Sequence, residues 1–135
     1  APSPVAPAAP RPRRALVVED SLAMQTVLAR ALEAEGWQVE LSDRAAGLWS
    51  LLDQGVWDAV FVDVSLPDAR GREHLEMLMA RARSAQRSFK VIALVRDTLE
   101  ETWVHDAGIA SLLRKPFAPG TVEGLVRRLR PTTPA

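Results

Sequence analysis

The chain has 135 residues with 17 basic and 17 acidic side chains, so its formal net charge at pH 7 is zero. Hydrophobic residues make up 47% and charged residues 25% of the sequence, which suits one folded domain and argues against a disordered chain. Zero net charge disfavours direct nucleic-acid binding, the absence of cysteine excludes disulfides, and no apolar run approaches the roughly 18 residues of a membrane span. We therefore expect a cytoplasmic domain without direct nucleic-acid or membrane contact.

The two ends of the chain differ from its body in composition. Residues 1–14 carry five of the ten prolines and three arginines, which predicts an extended linker. Residues 131–135 repeat this character and are predicted to be a tail, so a single domain is expected over residues 15–130. The first residue is not methionine, which favours a portion of a larger protein.

Short apolar runs alternate with amphipathic stretches along the predicted domain. The runs predict strands at residues 15–18, 37–41, 59–62, 91–95 and 112–113. Helices are predicted after each strand: one from Ser21 to Gly36, one around Leu48 that ends near Gly55, one around Leu75, one over 99–107 before Gly108, and one over 122–129. This order predicts an α/β fold of the flavodoxin-like, doubly wound (βα)5 type, with a five-stranded parallel sheet covered on both faces.

Charged side chains lie just past the ends of four of the predicted strands. Glu19 and Asp20 follow the first strand, Asp63 the third, Arg96 the fourth and Lys115 the fifth. In a parallel sheet of this type, ligands bind outside the carboxyl ends of the strands. Three carboxylates in one place are costly unless a cation joins them, and oxygen ligands favour a hard ion: Mg²⁺, with Mn²⁺ and Ca²⁺ as alternatives.

The chain resembles the receiver domains of two-component response regulators, and the resemblance extends over residues 15–130. Three motifs carry it: Val17-Val18-Glu19-Asp20-Ser21, then Asp63-Val64-Ser65-Leu66-Pro67 with Gly71, and Lys115-Pro116-Phe117. Each motif alone is weakly specific, but their order and their placement at strand ends are together highly specific.

The resemblance implies a role for each residue of the acidic site. Asp63 would be the phosphoacceptor, and Lys115 would neutralise a phosphoryl oxygen. Asp20, Asp63 and the backbone carbonyl of Ser65 would ligate Mg²⁺, while Glu19 would act through a metal-bound water. These roles fit phosphoryl transfer, in which positioning and charge neutralisation do most of the work.

Two positions depart from the family pattern. The family usually carries Ser or Thr at the end of the fourth strand and Tyr or Phe three positions before the lysine. Here these switch positions hold Val95 and Leu112, which have neither a hydroxyl nor an aromatic ring. We therefore expect intact metal and acceptor chemistry without the usual coupling to output. Two alternatives are a shifted alignment, in which Thr98 or Thr102 takes the hydroxyl role, and phosphoryl contacts from Arg96.

The resemblance implies a phosphoacceptor domain of a two-component system or phosphorelay. It would take a phosphoryl group from a histidine kinase or a histidine phosphotransfer domain and promote its own phosphorylation and dephosphorylation at Asp63. A hybrid histidine kinase is the preferred parent protein, ahead of a multidomain response regulator. The alternative is a pseudo-receiver that serves as a phosphorylation-independent interaction module, which Val95 and Leu112 favour. The oligomeric state is left open.

Overall fold

The computed structural model of the protein describes residues 11–70, 72–84 and 88–129. Most of the predicted linker, Gly71 of the second motif, Arg130 and the predicted tail lie outside the described residues. The elements, in chain order, are β1 (Arg14–Val18), α1 (Leu22–Ala34), β2 (Gln38–Ser42), α2 (Ala45–Leu52), β3 (Ala59–Asp63), β4 (Ser65–Leu66), β5 (Ala69–Arg70), α3 (Arg72–Ser84), β6 (Lys90–Val95), α4 (Thr98–Asp106), β7 (Ser111–Arg114) and α5 (Pro119–Arg128).

Five of these strands form one parallel sheet in the order β2-β1-β3-β6-β7. This sheet and its five helices confirm the predicted fold class. Because β1 lies between β2 and β3, the strand order reverses beside β1, and a crevice opens there at the carboxyl ends of β1 and β3. The antiparallel pair β4–β5, which directly follows β3, was not predicted.

Alternate side chains of each central strand enter different halves of the core. Leu16 and Val18 of β1 pack in a cluster with residues of α2, α3 and α4. Ala15 and Val17 pack with residues of α1 and α5 on the other face. The strands are apolar at successive positions because both faces of the sheet are covered.

The predicted helix ends at Ser21, Gly36 and Gly108 are confirmed. The Ser21 hydroxyl accepts a hydrogen bond from the backbone N–H of Met24 at 3.4 Å and so caps α1. Gly36 and Gly108 follow α1 and α4 with φ of 85° and 80°, a conformation that glycine adopts most readily. Among the described residues, no helix combines the length and apolar character needed to cross a membrane.

The first strand begins one residue before the predicted start of the domain. Arg14, predicted to end the linker, is the first residue of β1 and pairs in register with Gln38. Arg11 donates two hydrogen bonds of 3.0 Å to the carboxylate of Asp58. The segment from residue 11 is therefore attached to the domain, because its backbone and side chains bond to the amino-terminal ends of the strands.

Candidate functional site

The acidic cluster lies in the crevice at the carboxyl ends of β1 and β3. Val18 and Val62 are partners in the β1–β3 ladder, so the residues that follow them, Glu19 and Asp63, emerge side by side. Glu19, Asp20 and Asp63 each offer a carboxylate oxygen, and these three oxygens lie within 4.8 Å of one another. Glu19 and Asp63 are buried, whereas Asp20 is exposed.

Lys115 directly follows the edge strand β7 and reaches this cluster across β6. Its Nζ lies 2.9 Å from Oδ2 of Asp63 and 3.1 Å and 3.2 Å from the two carboxylate oxygens of Glu19. The backbone N–H of Lys115 donates to the carbonyl of Val95 at 2.7 Å, which extends the β6–β7 pairing by one residue. The peptide bond between Lys115 and Pro116 is cis. One ammonium group thus bridges the two buried carboxylates.

Ser65 holds the other oxygen of Asp63. The backbone N–H and the hydroxyl of Ser65 both donate to Oδ1 of Asp63, at 2.8 Å and 2.9 Å. The sequence prediction used only the backbone carbonyl of Ser65 and missed this hydroxyl contact. A serine two residues after an aspartate in a loop is a recognisable pattern for local hydrogen bonding and could have indicated it.

Glu19 is held in place by its own loop. The backbone N–H of Ser21 donates to Oε1 of Glu19 at 3.1 Å, and the Gln25 amide donates to the Glu19 backbone carbonyl. The Glu19 side chain is inaccessible to solvent. The first turn of α1 therefore orients the carboxylate that lies deepest in the site.

The three ionisable groups have unequal pKa values. Burial, assisted by the negative charge of Asp63, raises the pKa of Glu19 from 4.5 to about 7. Burial acts on Asp63 as well, but hydrogen bonds from Lys115 and Ser65 outweigh it, so the pKa of Asp63 lies below 3.8. Burial likewise opposes the charge on Lys115, yet the contacts with Asp63 and Glu19 raise the pKa of Lys115 above 10.5. Near neutral pH, Asp63 is therefore ionised, and Glu19 is the carboxyl that takes up a proton.

The chemistry of the cluster fits a divalent cation. Its candidate ligands are the three carboxylates, and carboxylate oxygens are ligands that Mg²⁺ and Mn²⁺ favour. One ammonium, that of Lys115, pairs with the two buried carboxylates of Glu19 and Asp63, so a cation can neutralise the remaining negative charge. The exposed Asp20 provides an open side to the cluster through which an ion and its waters can enter.

The side chains at the two predicted switch positions are apolar and belong to the core packing. Val95 ends β6, is fully buried, and packs in the core cluster against which the half-buried Leu112 lies. The two threonines proposed for a shifted alignment are exposed, and the Thr102 hydroxyl donates to the backbone carbonyl of Thr98. Val95 therefore remains the residue at the end of the strand.

Arg96 is bonded to a neighbour rather than to the acidic cluster. Its Nε and one terminal nitrogen donate to Oε2 of Glu100 at 3.0 Å and 2.9 Å, and its backbone N–H donates to Oε1 at 2.7 Å. The Glu100 side chain is only 2% exposed. Moving Arg96 away would leave a buried carboxylate without its guanidinium partner, which is costly, so this arrangement opposes a phosphoryl contact from Arg96.

Comparison with known proteins points to one family, the response regulators. A family model for the response regulator receiver domain matches residues 15–127. The DNA-binding transcriptional regulator NtrC of Bradyrhizobium sp. (strain RP501 Parasponia) is 34% identical over 104 residues, which are 76% of this chain. The chain spans about a fifth (21%) of that relative's length, so the match concerns one domain of a longer protein.

Solved structures share the fold. The chemotaxis response regulator CheY4 of Vibrio cholerae superposes with a TM-score of 0.74 at 20% identity, covering 88% of this chain and 99% of that one. The receiver domain of the Saccharomyces cerevisiae response regulator Ssk1, solved with the histidine phosphotransfer protein Ypd1, gives a TM-score of 0.74 at 17% identity, covering 87% and 88%. At these identities the likeness concerns the fold alone.

Proposed function

Because this chain belongs to the response regulator receiver domain family of two-component signalling, we propose that it accepts a phosphoryl group on Asp63 with the help of Mg²⁺. The observation that carries the proposal is the environment of Asp63: an ionised carboxylate at the base of the crevice, with Lys115 on one oxygen and Ser65 on the other. Such an arrangement suits a nucleophile that must remain charged and fixed in direction.

The proposed phosphoryl transfer uses these contacts. A carboxylate oxygen of Asp63 attacks the phosphorus of a phosphohistidine; the new P–O bond forms as the P–N bond breaks, and the imidazole leaves with the bonding electron pair and takes a proton from solvent. Mg²⁺, held by Asp20, Asp63 and the backbone carbonyl of Ser65, with Glu19 acting through water, would supply positive charge to the transferred group. Lys115 neutralises a phosphoryl oxygen. Asp63 is released when water attacks the same phosphorus.

The proposed donor is a histidine kinase or a histidine phosphotransfer domain. The pairing of the Ssk1 receiver with Ypd1 supports this class of partner, since the two receiver folds superpose. A hybrid histidine kinase is the proposed parent, because a receiver that passes its phosphoryl group on does not need the usual switch at Val95 and Leu112. The DNA binding in the name of NtrC belongs to that protein, and the cytoplasmic location stays a prediction.

Mass spectrometry of the intact chain tests the proposal. Incubation with phosphoramidate and Mg²⁺ should add the mass of one phosphoryl group, and Asp63→Asn should abolish the addition. Asp43→Asn is the matched control, since the Asp43 side chain is exposed, and it should be phosphorylated like the wild type. No adduct on the wild type, or an adduct that survives Asp63→Asn, would exclude Asp63 as the acceptor.

A pseudo-receiver that binds partners without phosphorylation is the second candidate. The apolar Val95 and Leu112 favour it, because they cannot relay a change at Asp63 through a hydroxyl or a ring. The two candidates differ in their need for metal. Calorimetric titration of the chain with Mg²⁺ should give saturable binding that Asp20→Asn weakens, whereas no binding heat would favour the interaction module.

A further inference from the structure

The start of α2 is held by a residue from a distant loop. Arg44, the N-cap residue, makes no side-chain cap hydrogen bond. Instead the carboxylate of Asp68 accepts from the backbone N–H groups of Ala45 and Ala46, at 2.9 Å and 3.1 Å. These two bonds hold the pKa of Asp68 below 3.8. In contrast, the N-cap residues of α1 and α4 bond to their own helices, so α2 alone among these three depends on another segment.

The segment that supplies Asp68 begins at the proposed phosphoacceptor. Ser65 donates two hydrogen bonds to Oδ1 of Asp63 and also starts the β4–β5 hairpin. Leu66 pairs with Ala69 in that hairpin, which places Asp68 in its turn. Only Ser65 and this short hairpin separate the Asp63 carboxylate from the hydrogen bonds that cap α2.

A second contact joins α2 to the helix that follows the hairpin. The rings of Trp49 in α2 and His74 in α3 meet edge to face, with centroids 5.6 Å apart and an interplanar angle of 83°. His74 is buried, and burial lowers its pKa while the charge of Asp68 opposes the change. The environment of Trp49 therefore depends on the position of α2 relative to α3, which follows the hairpin.

We propose that α2 responds to phosphorylation of Asp63 through Asp68, by a route that does not involve Val95 or Leu112. The inference rests on the proposed function of Asp63. Phosphorylation converts the carboxylate into a mixed anhydride, so the charge on Oδ1 is lost or the oxygen itself becomes bonded to phosphorus. Hydrogen bonds to a charged acceptor are stronger than those to a neutral one, so the N–H and hydroxyl of Ser65 leave Oδ1 for the charged phosphoryl oxygens, and Ser65 changes position. The hairpin can then shift, and Asp68 moves with it.

A cleft beside the site would change shape with α2. This cleft of about 540 Å³ is lined by Asp20 and Leu22, by Leu41 at the end of β2, and by Gly47 and Leu51 of α2. A shift in the first turn of α2 moves one wall of this cleft relative to the acidic cluster. The proposed response therefore alters a surface that adjoins the phosphorylation site.

Nuclear magnetic resonance of the ¹⁵N-labelled chain with phosphoramidate and Mg²⁺ tests this coupling. We expect the amide signals of Ala45 and Ala46 to shift on phosphorylation and their hydrogen exchange to accelerate about three- to tenfold as the bonds to Asp68 weaken. Asp68→Ala should remove that response while mass spectrometry still detects one phosphoryl group. Asp68→Asn, which keeps one acceptor oxygen, should retain the response at one of the two amides.

Asp97→Ala is the matched control. Asp97 is the N-cap residue of α4, and its Oδ1 accepts a hydrogen bond from the backbone N–H of Glu100 at 2.9 Å. The substitution should accelerate exchange at Glu100 and leave the response of Ala45 and Ala46 intact. Phosphorylation that leaves both alanine signals unmoved, or a full response in Asp68→Ala, would overturn the coupling alone. No phosphorylation at all would overturn the proposed function and the coupling with it.

Discussion

Lys115 Nζ lies 2.9 Å from Oδ2 of Asp63, although 52 positions separate the two residues in the chain. The contact is possible because β3 and β7 end at the same edge of the sheet, with β6 between them. The same ammonium also reaches both oxygens of Glu19. It is therefore placed both to bridge the two buried carboxylates and to meet the charge of an arriving phosphoryl group.

Replacing Lys115 should slow the phosphorylation of Asp63 without preventing Mg²⁺ binding. Lys115→Met removes the positive charge next to Asp63 and should lower the initial rate of phosphorylation by phosphoramidate about a hundredfold, as expected for loss of one preorganised charged donor. Mg²⁺ binding, measured by calorimetry, should persist because all three carboxylates remain. Lys90→Met is the control, since Lys90 is the only other lysine and is exposed at the start of β6. An unchanged rate in Lys115→Met would contradict the role given to this residue.

The raised pKa of Glu19 predicts that stability depends on pH in the absence of metal. Between the ordinary value of 4.5 and about 7, the folded state keeps a proton that the unfolded state has lost. Glu19 therefore stabilises the fold below this range, and its contribution is lost as the pH rises through about 7. In urea denaturation without divalent cations, the contribution of Glu19 should make the free energy of unfolding lower above neutrality than near pH 4.5.

Glu19→Gln should remove that part of the pH dependence. The variant should be more stable than the wild type above neutrality without metal, by an amount on the order of 2 kcal/mol. Added Mg²⁺ should stabilise the wild type, because an ion bound only by the folded state raises the free energy of unfolding, and should stabilise the variant less. Equal pH profiles for the two proteins would show that Glu19 is not the titrating group.

Much of this site could be predicted because its main residues lie just past the ends of apolar runs. Glu19, Asp63 and Lys115 each come at the end of a strand, and parallel strands bring their carboxyl ends together. The fold itself was predictable for the same reason, since the alternation of short runs and helical stretches has few other solutions.

The contacts that could not be predicted depend on pairs of residues that no local pattern connects. Asp68 caps a helix that begins 23 positions earlier in the chain, and the hairpin that carries it has strands of only two residues, too short for a periodic pattern. The strand β1 begins at Arg14 because its backbone pairs with Gln38, whereas the prediction followed side-chain polarity. The pair of Arg96 and Glu100 is local, four positions apart, but its importance depends on the burial of Glu100, which the sequence alone did not indicate.

Restoring a hydroxyl at the end of β6 should strengthen phosphorylation at the expense of stability. Val95→Thr is nearly isosteric, but it places a hydroxyl in an apolar cluster and should cost about 1–2 kcal/mol of unfolding free energy. The added donor next to the site should raise the phosphorylation rate roughly three- to tenfold. Rates are measured with phosphoramidate and stability by urea denaturation.

Val91→Thr is the control for that substitution. Val91 lies at the opposite end of β6 and packs in the same core cluster as Val95, so a hydroxyl there should cost similar stability without changing the rate. A rate increase in both variants would point to a general loosening of the domain. No increase in Val95→Thr would mean that the hydroxyl of the family pattern is not needed in this chain.

The arginine-rich segment before β1 should contribute measurably to stability. The Asp58 carboxylate accepts two hydrogen bonds from Arg11 and one from the backbone N–H of Arg14 at 2.8 Å. The Arg14 guanidinium also lies 4.3 Å from the centre of the Trp57 ring. Asp58→Ala should therefore lower the free energy of unfolding by about 1–3 kcal/mol in urea denaturation.

The control for this prediction is an ion pair of the same type on the open surface. Asp53 pairs with Arg81, and its side chain is 66% exposed, compared with 17% for Asp58. Because solvent screens exposed pairs, Asp53→Ala should change stability by less than about 1 kcal/mol. Arg11→Ala should cost less than Asp58→Ala, since it leaves the Asp58 bond to the backbone of Arg14 in place, and the double variant should show a coupling energy of about 1 kcal/mol. Equal effects of the Asp53 and Asp58 substitutions would mean that residues 11–14 add nothing to the stability of the domain.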